Sequence, residues 1–508
     1  MPVRHSRSLR LAPWLALACL VVPMFASYYF DDMFSSISYL FENPSLTALG
    51  WDSAGYGMYA SGYSVLCVFG GLVVGGILLD RWGVRVTGSL FVGMMVLGAG
   101  MVLWALLRGG SSSLGFAYAG CMLFGLGSEI AGTAVTRSIA KWFKGGPMAL
   151  AMGLELAIAR LGTAFALVMS PRLVRASDAV GGVYSLAETA RPAMLGMALM
   201  AVGLVLWALF VAMDARRDRV SSTKIAQNVD ETVGDGVSST KIAQNVDETV
   251  GDGVSSTKIA QNVDETAKTD GSSTKSTQNV DESERFRFRD VLGVLGNKNF
   301  WLLGLLCVLF YSSVVAFKKF AGAILVPRFG IPAEAAGWMV SMLPFSTVIF
   351  APLFGILVDK RGNGTRWMIL GSVLALVAHL LLTFAPAGVP FWGYLAMVFL
   401  GFGYSLVPAA LWPSVPKIVP EKVLGTTFAL IYWVQNLGLM SFKWIAGIIL
   451  GKFSAPSAIG DSANPAQIGA FTVELMFSAL CVASVVVALL FRRTSHRNPA
   501  LRLDSPNT

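Results

Sequence analysis

Gly76-Ile77-Leu78-Leu79-Asp80-Arg81-Trp82-Gly83-Val84-Arg85 breaks a long apolar stretch, and Gly355-Ile356-Leu357-Val358-Asp359-Lys360-Arg361-Gly362 breaks another in the second half of the chain. Each is a short charged turn that ends one apolar run and opens the next. Their glycines suit close helix packing and, at Gly83 and Gly362, a tight turn. Asp80 is placed to pair with Arg81, Arg85 or a helix N-terminus.

Working outward from these turns, the chain of 508 residues is 55% hydrophobic and only 14% charged. That balance suits lipid as the solvent and excludes a soluble multidomain enzyme, a disordered chain or a collagen-like one. A bilayer core needs about 20 apolar residues in a helix. Runs of that kind lie near 11–32, 54–79, 86–107, 114–139, 147–170 and 192–213, then near 300–325, 334–358, 367–385, 390–415, 424–450 and 468–491. Prolines within them, such as Pro23, Pro344, Pro352 and Pro408, are compatible with membrane helices, because neighbouring helices re-satisfy the freed backbone groups. The expected fold is an all-α membrane protein of twelve transmembrane helices in two pseudo-symmetric six-helix bundles. The expected divisions are 1–213 and 299–491 for the bundles, 214–298 for a cytoplasmic linker and 492–508 for a cytoplasmic tail.

Most of the 39 Lys and Arg residues fall on the side of the first residue when loops are assigned alternately. The positive-inside rule then makes both termini and the long loop cytoplasmic, and the net charge of +9 reads as orientation rather than nucleic-acid binding. The long loop carries a 17-residue repeat, SSTKIAQNVDETVGDGV, beginning at Ser221 and again at Ser238, with shortened copies from Ser255 and Ser272. No copy has an apolar face to bury, which predicts a disordered linker. The five cysteines all lie in apolar runs and read as free buried thiols.

The two charged turns resemble the loops between helices 2 and 3 and helices 8 and 9 of the major facilitator superfamily, with Gly76, Asp80, Arg81, Gly83 and Arg85 in the first copy and Gly355, Asp359, Lys360 and Gly362 in the second. The second copy is shifted, with Arg361 before its last Gly. A narrower resemblance rests on Ser27-YYFDD-Met33, Phe124-GLGSE-Ile130, Lys141-WFKG, Gly153-LELAIARLG-Thr163, Val377-AHL-Leu381 and Ala410-LWPSVPKIVPEKVLGTTFALIYWVQNLG-Leu439. These strings are similar to the family of major facilitator superfamily domain-containing protein 1, lysosomal dipeptide transporters in animals, and to bacterial relatives. The repeat loop has no counterpart there, and Lys318-Lys319 departs from the animal pattern. The resemblance implies the major facilitator fold, alternating access, and transport without a cofactor. It implies an accessory glycoprotein partner only for an animal lysosomal member.

Ionisable groups inside spans are costly in lipid, so they face a cavity or a partner. Arg160 lies among small residues and reads as a clamp for a substrate carboxylate, with a buried pair to Glu129 as the structural alternative. Glu129 reads as the partner of a substrate amine or a proton site. Asp32, Lys318 and Lys319 are further candidates for substrate binding, with one lysine at most facing the cavity. Tyr28, Tyr29 and Tyr432 are the candidate aromatic lining. Glu155 and His379 are secondary candidates for proton binding, and Lys443 reads equally well as snorkelling to an interface.

No phosphate-binding G-x-x-x-x-G-K-[ST] string, Ser-His-Asp set or metal-ligand spacing appears, and there are only three histidines. The expectation is a transporter, with no enzymatic activity, metal or nucleic-acid partner. Opposite charges in one cavity favour a dipeptide or similar small zwitterion. The alternatives are a proton-coupled organic-anion transporter and a non-transporting receptor or scaffold. Met1–Arg10 holds no acidic dileucine signal and Pro44 spoils the acceptor at Asn43, which favours a bacterial inner membrane over a lysosomal one.

Overall fold

The structure, a computed structural model, describes residues 7–144, 146–175, 182–234, 293–419, 423–454, 464–497 and 503–504. The first half holds α1 (Arg7–Asp32), α2 (Ser53–Leu66), α3 (Leu72–Arg108), α4 (Ser113–Trp142), α5 (Met148–Leu173) and α6 (Leu186–Gly234). The second holds α7 (Lys298–Lys319), α8 (Ala321–Phe329), α9 (Ala333–Arg361), α10 (Gly364–Phe384), α11 (Pro390–Leu411), α12 (Leu424–Phe453) and α13 (Pro465–Arg497). Among the described residues there are eleven continuous apolar helical stretches, one of which, Ser53–Arg108, is 56 residues long. Gly83 splits that stretch: its φ of 72° and ψ of 175° are open to glycine at little cost, and the Thr87 hydroxyl folds back to donate to the Leu78 carbonyl (2.8 Å). The membrane-crossing helices therefore number twelve, as the hydropathy predicts.

The packing repeats between halves. In the first, α1 packs on α5 and α6, α3 on α4 and α6, and α2 on α4. In the second, α7 packs on α12 and α13, α10 on α11 and α13, and α9 on α11. Counted by span, these are the same pairs. The bundles meet through α2 with α12 and α5 with α9, again symmetry-related pairs. Without a hydrophobic drive between helices in lipid, close contact needs small residues. At the α2–α12 seam Gly447 lies so near that a Cβ there would stand 2.5 Å from the Ser53 carbonyl oxygen. Within the first bundle, a Cβ on Gly125 would stand 2.0 Å from the Tyr63 carbonyl oxygen. The second span is also jointed: Cys67–Gly71 forms a π-turn, with Gly70 at φ 95°, and the Trp433 indole on α12 donates to the Val68 carbonyl (2.7 Å) at that joint.

Three sequence expectations change. The chain after residue 213 does not leave the helix, because α6 runs on to Gly234. Asp214 and Asp218, one turn apart, take Lys141 at 3.0 and 2.9 Å and Arg85 at 3.7 and 3.3 Å, and the Trp142 indole also donates to Asp214 (2.9 Å). These ties extend the helix beyond the apolar run. The repeats beyond Gly234 lie outside the described residues. Asp80 pairs not with Arg81 or Arg85 but with Arg137 of α4 (2.6 Å), since Arg85 is drawn to the two aspartates of α6. Gly76 and Gly355 make no close helix contact, as a Cβ at either would meet open space. Gly75 is the contact residue instead, against Ile130. Gly362 does act as the turn residue, at φ 63°, and ends α9 just after Asp359 and Lys360.

Candidate substrate site

The helices place the start of α1 and the end of α13 on one face and the ends of α1, α3, α5 and α7 on the opposite, distal face. There the bundles are tied by ions. Asp32, at the end of α1, is 1% exposed, and its Oδ2 takes Lys318 Nζ (2.6 Å) and the Thr163 hydroxyl (2.8 Å). Its Oδ1 takes Lys319 Nζ (3.0 Å) and the Ser35 hydroxyl (3.3 Å). Lys319 also pairs with the Asp31 carboxylate (2.8 Å) and donates to the Asp31 carbonyl. Buried ions at this depth are tolerable because each has an opposite charge and further hydrogen bonds. Asp32 is therefore saturated by protein groups and has no vacant oxygen for a substrate amine in this conformation. Around the ions, the Tyr56 hydroxyl donates to the Lys319 carbonyl (2.9 Å) and the Ala323 amide to Ser38 (3.0 Å). The distal face is closed.

Arg160 lies deeper, midway along α5. No carboxylate pairs with it among the described residues. Its Nη1 donates to the Tyr404 hydroxyl (3.0 Å), and its guanidinium carbon lies 5.4 Å from the Tyr404 ring centre and 5.7 Å from that of Tyr28. Two aromatic faces hold the cation without neutralising it. A cavity is lined by Arg160, Thr163, Val314, Lys318, Pro344 and Tyr404. Tyr311, Trp412 and Tyr432 continue the aromatic wall: Tyr311 lies 6.1 Å from Tyr404, the Trp412 indole donates to Tyr311 (3.1 Å), and Tyr432 stacks on Trp412 at 4.9 Å. Tyr432 is 43% exposed.

Glu129 on α4 accepts from the Tyr63 hydroxyl (3.1 Å) and has no cationic partner among the described residues. It is not bonded to Arg160, so the purely structural pair is absent. The Tyr28 phenol lies within electrostatic reach of Arg160, Glu129 and Glu155. Lys443 on α12 is buried, donates to the Ala60 carbonyl (3.3 Å) and rests over the Tyr63 ring at 5.3 Å. It lies between bundles rather than snorkelling.

Two candidates lie elsewhere. Tyr29 is fully buried between α1 and α6, with its hydroxyl on the Pro192 carbonyl (3.3 Å). One residue along a helix turns the side chain about 100°, so Tyr28 and Tyr29 cannot share the cavity. His379 lies inside the second bundle, its Nδ1 2.8 Å from Glu474 Oε2 and its ring against Phe317 and Phe477. The residue missed by sequence reasoning is Tyr404. Its signal was its place on a cavity-facing span beside glycines, GFGYS, which bring neighbouring helices close.

Twelve helices in two like-packed bundles, with unneutralised charge between them, are the architecture of a secondary transporter of small solutes. The sequence matches the Major Facilitator Superfamily over residues 21–442 and again over 320–505, and the chain belongs to that family. It is 27% identical to the lysosomal dipeptide transporter MFSD1 of Danio rerio over 504 residues, covering 95% of this chain and 87% of that protein. The Homo sapiens protein of the same name is 27% identical over 406 residues, 78% of this chain and 70% of that protein. Among solved structures, the nucleoside transporter NupG is similar with a TM-score of 0.60 at 13% identity, covering 94% of this chain and 98% of that one. The peptide transporter POT has a TM-score of 0.59 at 16% identity, covering 96% and 95%. The structural likenesses show the fold. The chain is an integral, multi-pass membrane protein.

Proposed function

We propose that this protein carries dipeptides and similar small zwitterions by alternating access, with Arg160 clamping the carboxylate and Glu129 receiving the amine. The observation that carries the reading is a cation and an acid without contact ion pairs, both within electrostatic reach of Tyr28: Arg160 is held by aromatic rings and a hydroxyl, and Glu129 by a hydroxyl. In a low-dielectric cavity each is poorly solvated, and a ligand bearing both opposite charges satisfies both at once. The MFSD1 relatives, lysosomal dipeptide transporters, support the same class. Tyr28, Tyr404 and Tyr432 would receive side chains, and the exposed edge of Tyr432 marks the approach from the face of the termini. The Lys and Arg excess on that face supports cytoplasmic termini.

A melting-shift screen of dipeptides, amino acids, sugars and organic acids on purified protein tests the ligand class, followed by uptake of the stabilising compounds into proteoliposomes. Stabilisation by sugars alone would end the zwitterion reading, and binding without uptake would favour a receptor. Accessibility of single cysteines placed at Asn43 and at residue 230 tests the topology. Labelling of both from one side of the membrane would overturn it.

A further inference from the structure

We propose that the carboxylate of the carried molecule takes Lys318 from Asp32, so that a free carboxylate loosens the distal closure as well as holding the ligand. This rests on the reading of Arg160 as a carboxylate clamp.

The two adjacent lysines are not equivalent. Lys318 lines the Arg160 cavity, together with Thr163 and Tyr404. Lys319 lines a different one, with Asp31, Tyr56, Tyr59 and Cys121. Lys318 has one carboxylate partner, Asp32, whereas Lys319 has two, Asp31 and Asp32. Both ligands of Asp32 Oδ2, Lys318 and Thr163, therefore face the space where a carboxylate on Arg160 would lie. Thr163 follows Arg160 by one turn of α5, a separation of about 5–6 Å between Cβ atoms. A carboxylate has two oxygens, enough for a guanidinium on one side and an ammonium on the other.

Contact geometry favours the exchange. Without ligand, Arg160 has no carboxylate at ion-pair distance among the described residues, whereas Lys318 and Lys319 share Asp31 and Asp32. A ligand carboxylate between Arg160 and Lys318 gives Arg160 the contact partner it lacks. Asp32 is not stranded when Lys318 turns away, because Lys319 and the hydroxyls of Ser35 and Thr163 remain on it. Stranding a buried charge is the step that usually forbids such swaps. One of the two lysine ties between α1 and α7 is thereby replaced by a tie from α5 through the ligand to α7, deeper in the membrane. Lys319 is then the remaining ionic tie at the distal face, beside the hydrogen bonds of Tyr56 and Ser38.

The test uses spin labels on the exposed distal residues Asn43 and Ala387, one on each bundle, and pulsed electron-spin distance measurement in liposomes. The ligands are Ala-Ala and its C-terminal carboxamide, each at a concentration giving the same melting shift. Ala-Ala is expected to raise the long-distance population several-fold and the carboxamide to leave it unchanged. Lys318→Gln is expected to show the long distance without ligand and no further response, and Lys318→Arg to respond like the parent. The proposal is overturned if Ala-Ala shifts melting but not distance, if the carboxamide widens the distance equally, or if Lys318→Gln responds like the parent. Failure of Ala-Ala to shift melting at all removes the dipeptide reading, and this proposal with it. The carboxamide comparison needs no variant, so a misfolded Lys318→Gln protein does not block the test.

Discussion

At the scale of single residues, Arg160 is the side chain on which most depends. Arg160→Ala is expected to abolish the melting shift given by carboxylate-bearing ligands while the protein still inserts and elutes as a single species. Arg160→Lys should restore little, because an ammonium cannot reproduce a planar fork stacked between two rings. Glu42 offers a different prediction. It follows the short turn Ser35–Phe41 at the distal face, and its Oε1 is buried without a partner among the described residues. Burial pushes the carboxyl up to about 8. The folded state therefore holds its proton over a range where the unfolded chain has lost it, and stability falls as pH rises from the ordinary carboxylate range to about 8. Glu42→Gln should flatten that slope, raising the melting temperature at pH 8 and leaving it little changed at pH 5. Sequence reasoning reached Arg160 and Glu129 because charge in a lipid-facing run is anomalous wherever it occurs. It could not reach Tyr404, whose significance comes from a helix more than two hundred residues away in the chain, or tell Lys318 from Lys319.

At the scale of helices, Gly125 sets the distance between α2 and α4. Gly125→Val places side-chain carbons against the Tyr63 backbone, and overpacking of this kind costs about 1–3 kcal/mol. The helices must part, which withdraws the Tyr63 hydroxyl from Glu129. The expected result is a lower melting temperature together with weaker binding of amine-bearing ligands. A variant with normal melting and normal affinity would show that the contact is slack. The spans themselves were legible, because apolar length is a local property and both charged turns fall where helices reverse. Where α6 ends was not legible. Its continuation depends on Lys141, Arg85 and Trp142, which lie on other helices, and composition after residue 213 signals only a polar segment.

For the whole molecule, the like packing of the two halves means that rocking one against the other exchanges symmetry-related contacts, the expected basis of alternating access in this fold. The loop between the halves has only to span them. Deleting residues 238–283 is expected to leave initial uptake within about a factor of two of the parent, because a polar repeat without an apolar face adds reach but little structure. A large loss would show that the repeats take part in regulation. The π-turn at Cys67–Gly71 bears on the same motion. Above it the second span lies against α12 along the Gly57–Gly447 seam, and below it the chain carries the Asp80 turn. A rod with a joint at mid-length need not swing as one piece. Its lower arm can flex at Gly70 while its upper arm keeps its bearing on the partner bundle, so stiffening that one glycine joint is expected to slow cycling, read as initial uptake rate, more than it weakens the grip on cargo.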